Sequence, residues 1–286
     1  MIRKKVLLVA LAHPDDESFG MGGTLAYYAS LGVEVHLLCA TKGEVGEVNA
    51  DELNGYDSIA SLREAELRCA SGYLGITAVH FLGYRDSGME GSPDNSHPQA
   101  LASQSIDNVA GIVAGFIREL KPQVIVTFDP IGGYRHPDHI AIHRATVRAF
   151  ELTREKEFQE SSLDSYIPDK LFFHTFPRGF LRTGVKLLRL FGQDPRKFGK
   201  NKDIDLESFA NEDYPIHAEI NIRKFRKQKE QAGSCHVSQG GGRMGGGILS
   251  YFMKIFDNHE SFMQAYPPLK NGSRKTHDLF SEDSNI

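Results

Sequence analysis

Two short polar segments hold most of the residues in this chain that could do chemistry. One is Ala12-His13-Pro14-Asp15-Asp16-Glu17; the other is Gly132-Gly133-Tyr134-Arg135-His136-Pro137-Asp138-His139. Together they offer four acidic side chains and three imidazoles, with His13 and Asp16 three residues apart and His136 and His139 three apart. Such a donor set suits a divalent metal. Two histidines and one carboxylate, with water in the remaining position, make the open three-ligand site expected of catalytic zinc. A further carboxylate beside the ligands could take the proton from a water whose pKa the metal lowers to about 7. The prolines stiffen both turns and limit how far the donors can wander. Taken singly, each segment is ordinary capping and turn chemistry, because carboxylates before a helix satisfy its first amides and match its dipole. Two such segments at equivalent ends of two strands point to a metal.

The elements that must position them are legible in the hydrophobic pattern. Val6 to Leu11 is a continuous aliphatic run, short enough for a strand buried on both faces. Val33 to Cys39, Val79 to Leu82, Gln123 to Phe128 and Leu171 to Phe176 read as further strands. Between them, helices are expected over Met21 to Leu31, from Ile59 to a stop at Gly75, over Ala100 to Leu120 and over Ile140 to Leu152. Repeated β-α-β units with right-handed crossovers predict an α/β fold, a three-layer, Rossmann-like, mostly parallel sheet with helices on both faces. In such open sheets, ligands bind outside the carboxyl ends of the strands at the switch in strand order. Both polar segments follow strands that flank such a switch in the commonest arrangement, so they are expected to meet in space.

The second half is expected to elaborate this frame. Phe180 to Phe191 reads as a basic amphipathic helix docked on the domain, and residues 193–213 as a polar insertion or loop. Ile216 to Ile222 alternates like an edge strand, and Arg223 to Gln231 reads as a solvated helix. Residues 238–247 form a Gly-rich loop, and the closing residues a frayed polar tail. With no internal repeat and no clear boundary, one domain over residues 1–270 and a tail over 271–286 are expected.

At these residues the chain resembles the PIG-L/LmbE family of zinc-dependent N-acetylglucosamine deacetylases, which includes the deacetylases of mycothiol and bacillithiol synthesis. The two metal motifs carry the resemblance. Arg63, Glu66, Ala70, Leu74 and Gly75 also fit the family's helix, Leu82 to Met89 its sugar-side loop, and Cys235-His236-Val237-Ser238-Gln239 its late H-x-T/S-Q segment. The resemblance implies His13, Asp16 and His139 as ligands to Zn2+ or another divalent transition metal. It implies Asp15 as general base, His136 and Tyr134 at the oxyanion, Asp138 as the carboxylate orienting an imidazole, and Arg63 and Asp86 as holds for sugar hydroxyls. The reaction implied is removal of an N-acetyl group from a GlcNAc-containing small molecule. Cleavage of a larger acyl group is the alternative within the family. A non-haem iron(II) oxygenase is the remote alternative outside it, because it uses the same ligand set.

Composition narrows the partners. The 286 residues carry 33 Lys plus Arg against 37 Asp plus Glu, a net charge of −4, which gives no footprint for nucleic acid. No run approaches the roughly 18 apolar residues of a membrane span. The three cysteines, Cys39, Cys69 and Cys235, are odd in number and far apart, which argues against a disulfide scaffold and for a reducing compartment. The apolar run after Lys5 is too short for a secretory signal, so a cytoplasmic protein is expected. The partner is a small amino-sugar substrate, with a homo-oligomer left open. A dinucleotide-binding module is disfavoured, since the first loop lacks G-x-G-x-x-G.

Overall fold

Seven strands form one mixed sheet in the order β3-β2-β1-β4-β5-β7-β6. In this computed structural model, residues 4–53, 55–156, 165–176, 178–197, 205–210, 212–241, 258–269 and 274–281 are described. The strands are β1 Val6–Leu11, β2 Glu34–Cys39, β3 Ala78–Phe81, β4 Val124–Phe128, β5 Lys170–Thr175, β6 Ala218–Asn221 and β7 His259–Tyr266. The first five are parallel, with Leu7 of β1 opposite Val35 on one side and Val124 on the other. β7 runs antiparallel to β5 and β6. All six residues of β1 are buried, which fits its unbroken aliphatic run at the sheet centre. β1 and β4 are neighbours at the point where strand order reverses, so the loops that follow them meet at the same end.

The helices are α1 Asp16–Ser30, α2 Ile59–Leu74, α3 Ile106–Leu120, α4 Gly132–Arg135, α5 Pro137–Leu152, α6 Arg178–Leu190, α7 Leu206–Phe209 and α8 Arg226–Cys235. α1, α2 and α8 pack on one another, and α3 packs on α5, as right-handed crossovers to opposite faces require. Among the described residues no helix is long and apolar enough to cross a membrane.

Several expectations are corrected. α1 starts at Asp16, not Met21, because Met21 instead marks a kink with non-helical backbone (φ −130°, ψ 24°). The amides freed by that kink, Gly23 N–H and Thr24 N–H, donate to the buried Glu260 carboxylate at 3.1 and 2.6 Å. Glu260 lies on β7, a strand whose polar composition gave no alternation to read. α3 starts at Ile106, preceded by a 3-10 turn over Leu101–Ser103. Cys69 on α2 and Cys235 at the end of α8 form a disulfide, which removes the cysteine argument for a reducing compartment; Cys39 is free and buried. The tail is docked rather than frayed over residues 274–281. Leu279 is fully buried, its N–H donates to Tyr28 Oη at 2.6 Å, and Tyr28 in turn donates to Asp278 at 2.9 Å. The insertion expected at 193–213 contains α7, while 242–247 of the Gly-rich loop lie outside the described residues.

Candidate active site

The parallel strands converge their carboxyl ends on one cluster. β1 delivers His13 to Asp16, β2 delivers Thr41 to Glu44, the loop after β3 delivers Asp86 and Ser87, and β4 delivers Asp129 to His139. His13 Nδ1 lies 3.2 Å from His139 Nε2 and 3.6 Å from Asp16 Oδ2, and His139 Nε2 lies 3.3 Å from Asp16 Oδ1. Ligands on a tetrahedral ion at the zinc–nitrogen distance stand about 3.3 Å apart, so this triangle has the right size.

The opposite ring nitrogens are already committed. His13 Nε2 is 3.1 Å from Asp138 Oδ2, and His139 Nδ1 is 3.1 Å from the Gly132 carbonyl. That arrangement fixes each ring's tautomer and aims the other nitrogen at the centre. Asp138 is itself held by Ser87, through the backbone N–H at 2.9 Å and through the hydroxyl. Gly132 has φ +65°, and a Cβ there would come within 2.7 Å of the His139 Cβ, so the residue must be glycine for the ring to seat. Phe128 stacks on the other face of His139 with ring centroids 3.9 Å apart.

Acidic side chains crowd the His13 ring. Burial alone would pull the His13 imidazole down, yet Asp86, Asp138 and Asp16 around it outweigh that and hold it well above the usual histidine range. Burial opposes ionisation of Asp16 and Asp86 too. Even so, His139 and His13 hold the first well below the ordinary carboxylate range, and His13 holds the second there. The rings of His13, His136 and His139 present nitrogens within 4.8 Å of one another, as His13 does with the carboxylates of Asp86 and Asp138. The donor atoms, their spacing and the concentrated negative charge all fit a divalent metal at His13, Asp16 and His139.

Beside this centre stands Asp15, with a left-handed backbone (φ 124°) and its carboxylate 3.4 Å from Arg63 Nη2. Burial, only partly offset by Arg63, pushes its carboxyl up to about 6. His136 caps α5, its Nδ1 accepting the Asp138 N–H at 3.1 Å. Burial, and then the neighbouring His13 and His139, hold it well below the usual histidine range, hence neutral. With Nδ1 accepting, the neutral ring carries its hydrogen on Nε2. Tyr134 is half-buried and edge-on to His139, at 4.9 Å between centroids. The next residue, Arg135, donates to the Ser208 carbonyl and pairs with Glu212 at the surface.

The two residues assigned to sugar hydroxyls are turned inward. Arg63 is 4% exposed and donates to the carbonyls of Gly43 and Pro14 at 3.1 and 2.7 Å. Its helix neighbour Glu66 does not pair with it but takes the Ser238 N–H and hydroxyl. Asp86 is equally buried, lies 3.6 Å from His13 Nε2, and accepts the Gly88 N–H. Sequence reasoning missed Ser87 and Glu44, which steady Asp138 and the Asp86 backbone. Their placement after β3 and β2, at the carboxyl ends of parallel strands, was the available signal.

The fold and the site together define an α/β protein whose strand-end loops gather two histidines and a carboxylate at a spacing that fits a divalent metal, with a second aspartate beside them. Residues 8–150 match the PIG-L family, described as GlcNAc-PI de-N-acetylase. The chain is also 40% identical over 248 residues to a 1D-myo-inositol 2-acetamido-2-deoxy-alpha-D-glucopyranoside deacetylase of Acidothermus cellulolyticus, covering 82% of this chain and 79% of that one. A deacetylase of the same name from Geodermatophilus obscurus is 36% identical, with 84% of each chain covered. This chain belongs to the PIG-L family. Its fold matches the N,N'-diacetylchitobiose deacetylase of Pyrococcus horikoshii with a TM-score of 0.62 at 18% identity, covering 91% of this chain and 83% of that one.

Proposed function

We propose that this protein is a zinc-dependent hydrolase that removes the N-acetyl group from a GlcNAc-containing small-molecule conjugate, with a glucosaminide of inositol as the first substrate to test. The observation that carries the reading is the pairing of a metal-sized triangle of donors with Asp15 just outside it. The names of the relatives at 36–40% identity support the substrate class.

His13, Asp16 and His139 would hold the cation. When bound, zinc supplies Lewis acidity toward an amide carbonyl and a lowered pKa for water. An unactivated amide needs both. Asp15 takes the proton from the attacking water and returns it to the amide nitrogen as the C–N bond breaks, leaving acetate and the free amino sugar. His136 donates its Nε2 hydrogen to the oxyanion of the tetrahedral intermediate, with Tyr134 beside it; one such donor is worth about 3–4 kcal/mol. Asp138 keeps the His13 ring aimed. Arg63 and Asp86 hold the walls of the sugar site through the backbone contacts they make, and take sugar hydroxyls on their remaining faces. One domain over residues 1–270 with the tail docked on it, and a cytoplasmic location, belong to the same reading. The Cys69–Cys235 disulfide is the observation that weighs against that location.

Acetate and free amine released from a synthetic series of glucosaminyl-inositol amides, varied only in the acyl chain, test this reading. It expects acetyl to be the preferred group. Preference for a larger acyl group would make the protein an amidase, and no cleavage of any member would refute the proposal.

A further inference from the structure

The least explained polar group in the fold lies next to the site rather than in it. Glu17 and His236, 219 residues apart in sequence, are both fully buried, with His236 Nε2 2.7 Å from Glu17 Oε1. A buried carboxylate is costly unless paired and hydrogen-bonded, and Glu17 is both. The second oxygen, Glu17 Oε2, accepts the backbone N–H of Asp15 at 3.0 Å. His236 therefore reaches Asp15 through one intervening carboxylate. His236 is carried by the end of α8, where the Cys235–Cys69 disulfide and the Ser238–Glu66 bonds fasten it to α2.

What this chain holds is an unusual backbone. Asp15 has φ 124° and ψ −30°, a region non-glycine residues occupy only where their surroundings over-determine it. Glu17, itself held by His236, accepts its N–H. From the other side, Arg63 donates to the preceding Pro14 carbonyl and faces the Asp15 carboxylate. The consequence lies in what separates two consecutive aspartates. Asp16 sits 3.3 and 3.6 Å from the ring nitrogens of His139 and His13, while Asp15 points toward Arg63.

We infer that Glu17 and His236 are positioning residues that lock Asp15 in this left-handed conformation, so that its carboxylate stays free for proton transfer and does not compete with Asp16 for the cation. The inference rests on the reading of Asp15 as the general base. Neither residue touches substrate; both act through the Asp15 backbone.

The test uses the full-length, zinc-loaded protein, acetate release from an N-acetylglucosaminyl-inositol, metal content by mass spectrometry, and crystal structures of the variants. In H236Q the amide nitrogen falls where Nε2 was; in H236N it falls short of Glu17. H236N should lose kcat by about tenfold or more, since small misplacements of a catalytic group carry losses of that order, with KM and bound zinc nearly unchanged. H236Q should recover most of that loss. In the H236N crystal, and in E17A, Asp15 should leave positive φ or its carboxylate should turn toward His13 and His139. The inference is overturned if Asp15 keeps both φ near 124° and its carboxylate beside Arg63 in those variants, if H236N and H236Q are equally active, or if activity falls only in step with lost zinc or lost folded protein. Should the wild-type protein release no acetate at all, the deacetylase reading fails, and the Asp15 backbone in the variant crystals still decides the clamp.

Discussion

His13 and Asp138 are 125 residues apart in sequence, yet His13 Nε2 sits 3.1 Å from Asp138 Oδ2 in the interior. That contact joins the loops after β1 and β4 and leaves His13 Nδ1 facing Asp16 and His139. Replacing Asp138 with Ala should weaken zinc binding by about 10–100-fold, the usual cost of losing a carboxylate behind a metal-ligating histidine. Competition against a chromophoric chelator measures it; unchanged affinity would remove Asp138 from its assigned role.

Asp15 and His139 should separate base from ligand. Asp15→Asn should keep a full complement of zinc and lose about 10²–10⁴ in kcat, the range for a general base. His139→Ala should lose metal and activity together. Metal analysis beside acetate release distinguishes the two, and equal zinc loss in both would merge roles that the geometry keeps apart.

Gly132→Ala puts a Cβ 2.7 Å from the His139 Cβ and 2.9 Å from the Ile140 nitrogen, at a residue with φ +65°. Backbone cannot yield as a flexible side chain can. A loss of about 1–3 kcal/mol, the cost of a strained backbone conformation, is expected in denaturant unfolding, together with weaker metal binding.

The Cys69–Cys235 disulfide closes a long loop, with a sequence separation of 166. Reduction, or Cys69→Ser, should cost about 2–4 kcal/mol of stability, read as a lower melting temperature. Mass spectrometry after thiol alkylation under native conditions should find one free cysteine, not three.

Away from the site, burial lowers the imidazoles of His36, His80 and His143 below the usual histidine value of 6.5. The unfolded chain therefore takes up protons at a higher pH than the folded one. Their contribution to stability is fully present above about pH 6.5 and is lost as pH falls below it. Melting temperatures of metal-free protein should drop on acidification from neutral pH, and less steeply for His36→Gln with His80→Gln. An equal slope in wild type and variant would contradict this.

The central strands and both polar loops could be read from the chain because each signal was local. Val6–Leu11 is an unbroken aliphatic run, and the histidine and aspartate clusters follow strands directly. What escaped depends on contacts between distant segments. β7 carries Glu260, whose partners are amides in the α1 kink, and no periodicity records that pairing. Cys69 and Cys235 meet only because α2 packs on α8. Glu17 reads as one more first-turn acid of α1, and only the fold shows it sealed against His236. Leu279 looked like part of a polar tail until Tyr28 supplied its docking site.

Titration of metal-stripped protein with zinc, following acetate release from an N-acetylglucosaminyl-inositol, tests the whole account at once. Activity should rise from near zero and reach its plateau at one equivalent of zinc per chain. Acetate release that persists without metal, or its absence at every zinc level, would contradict it.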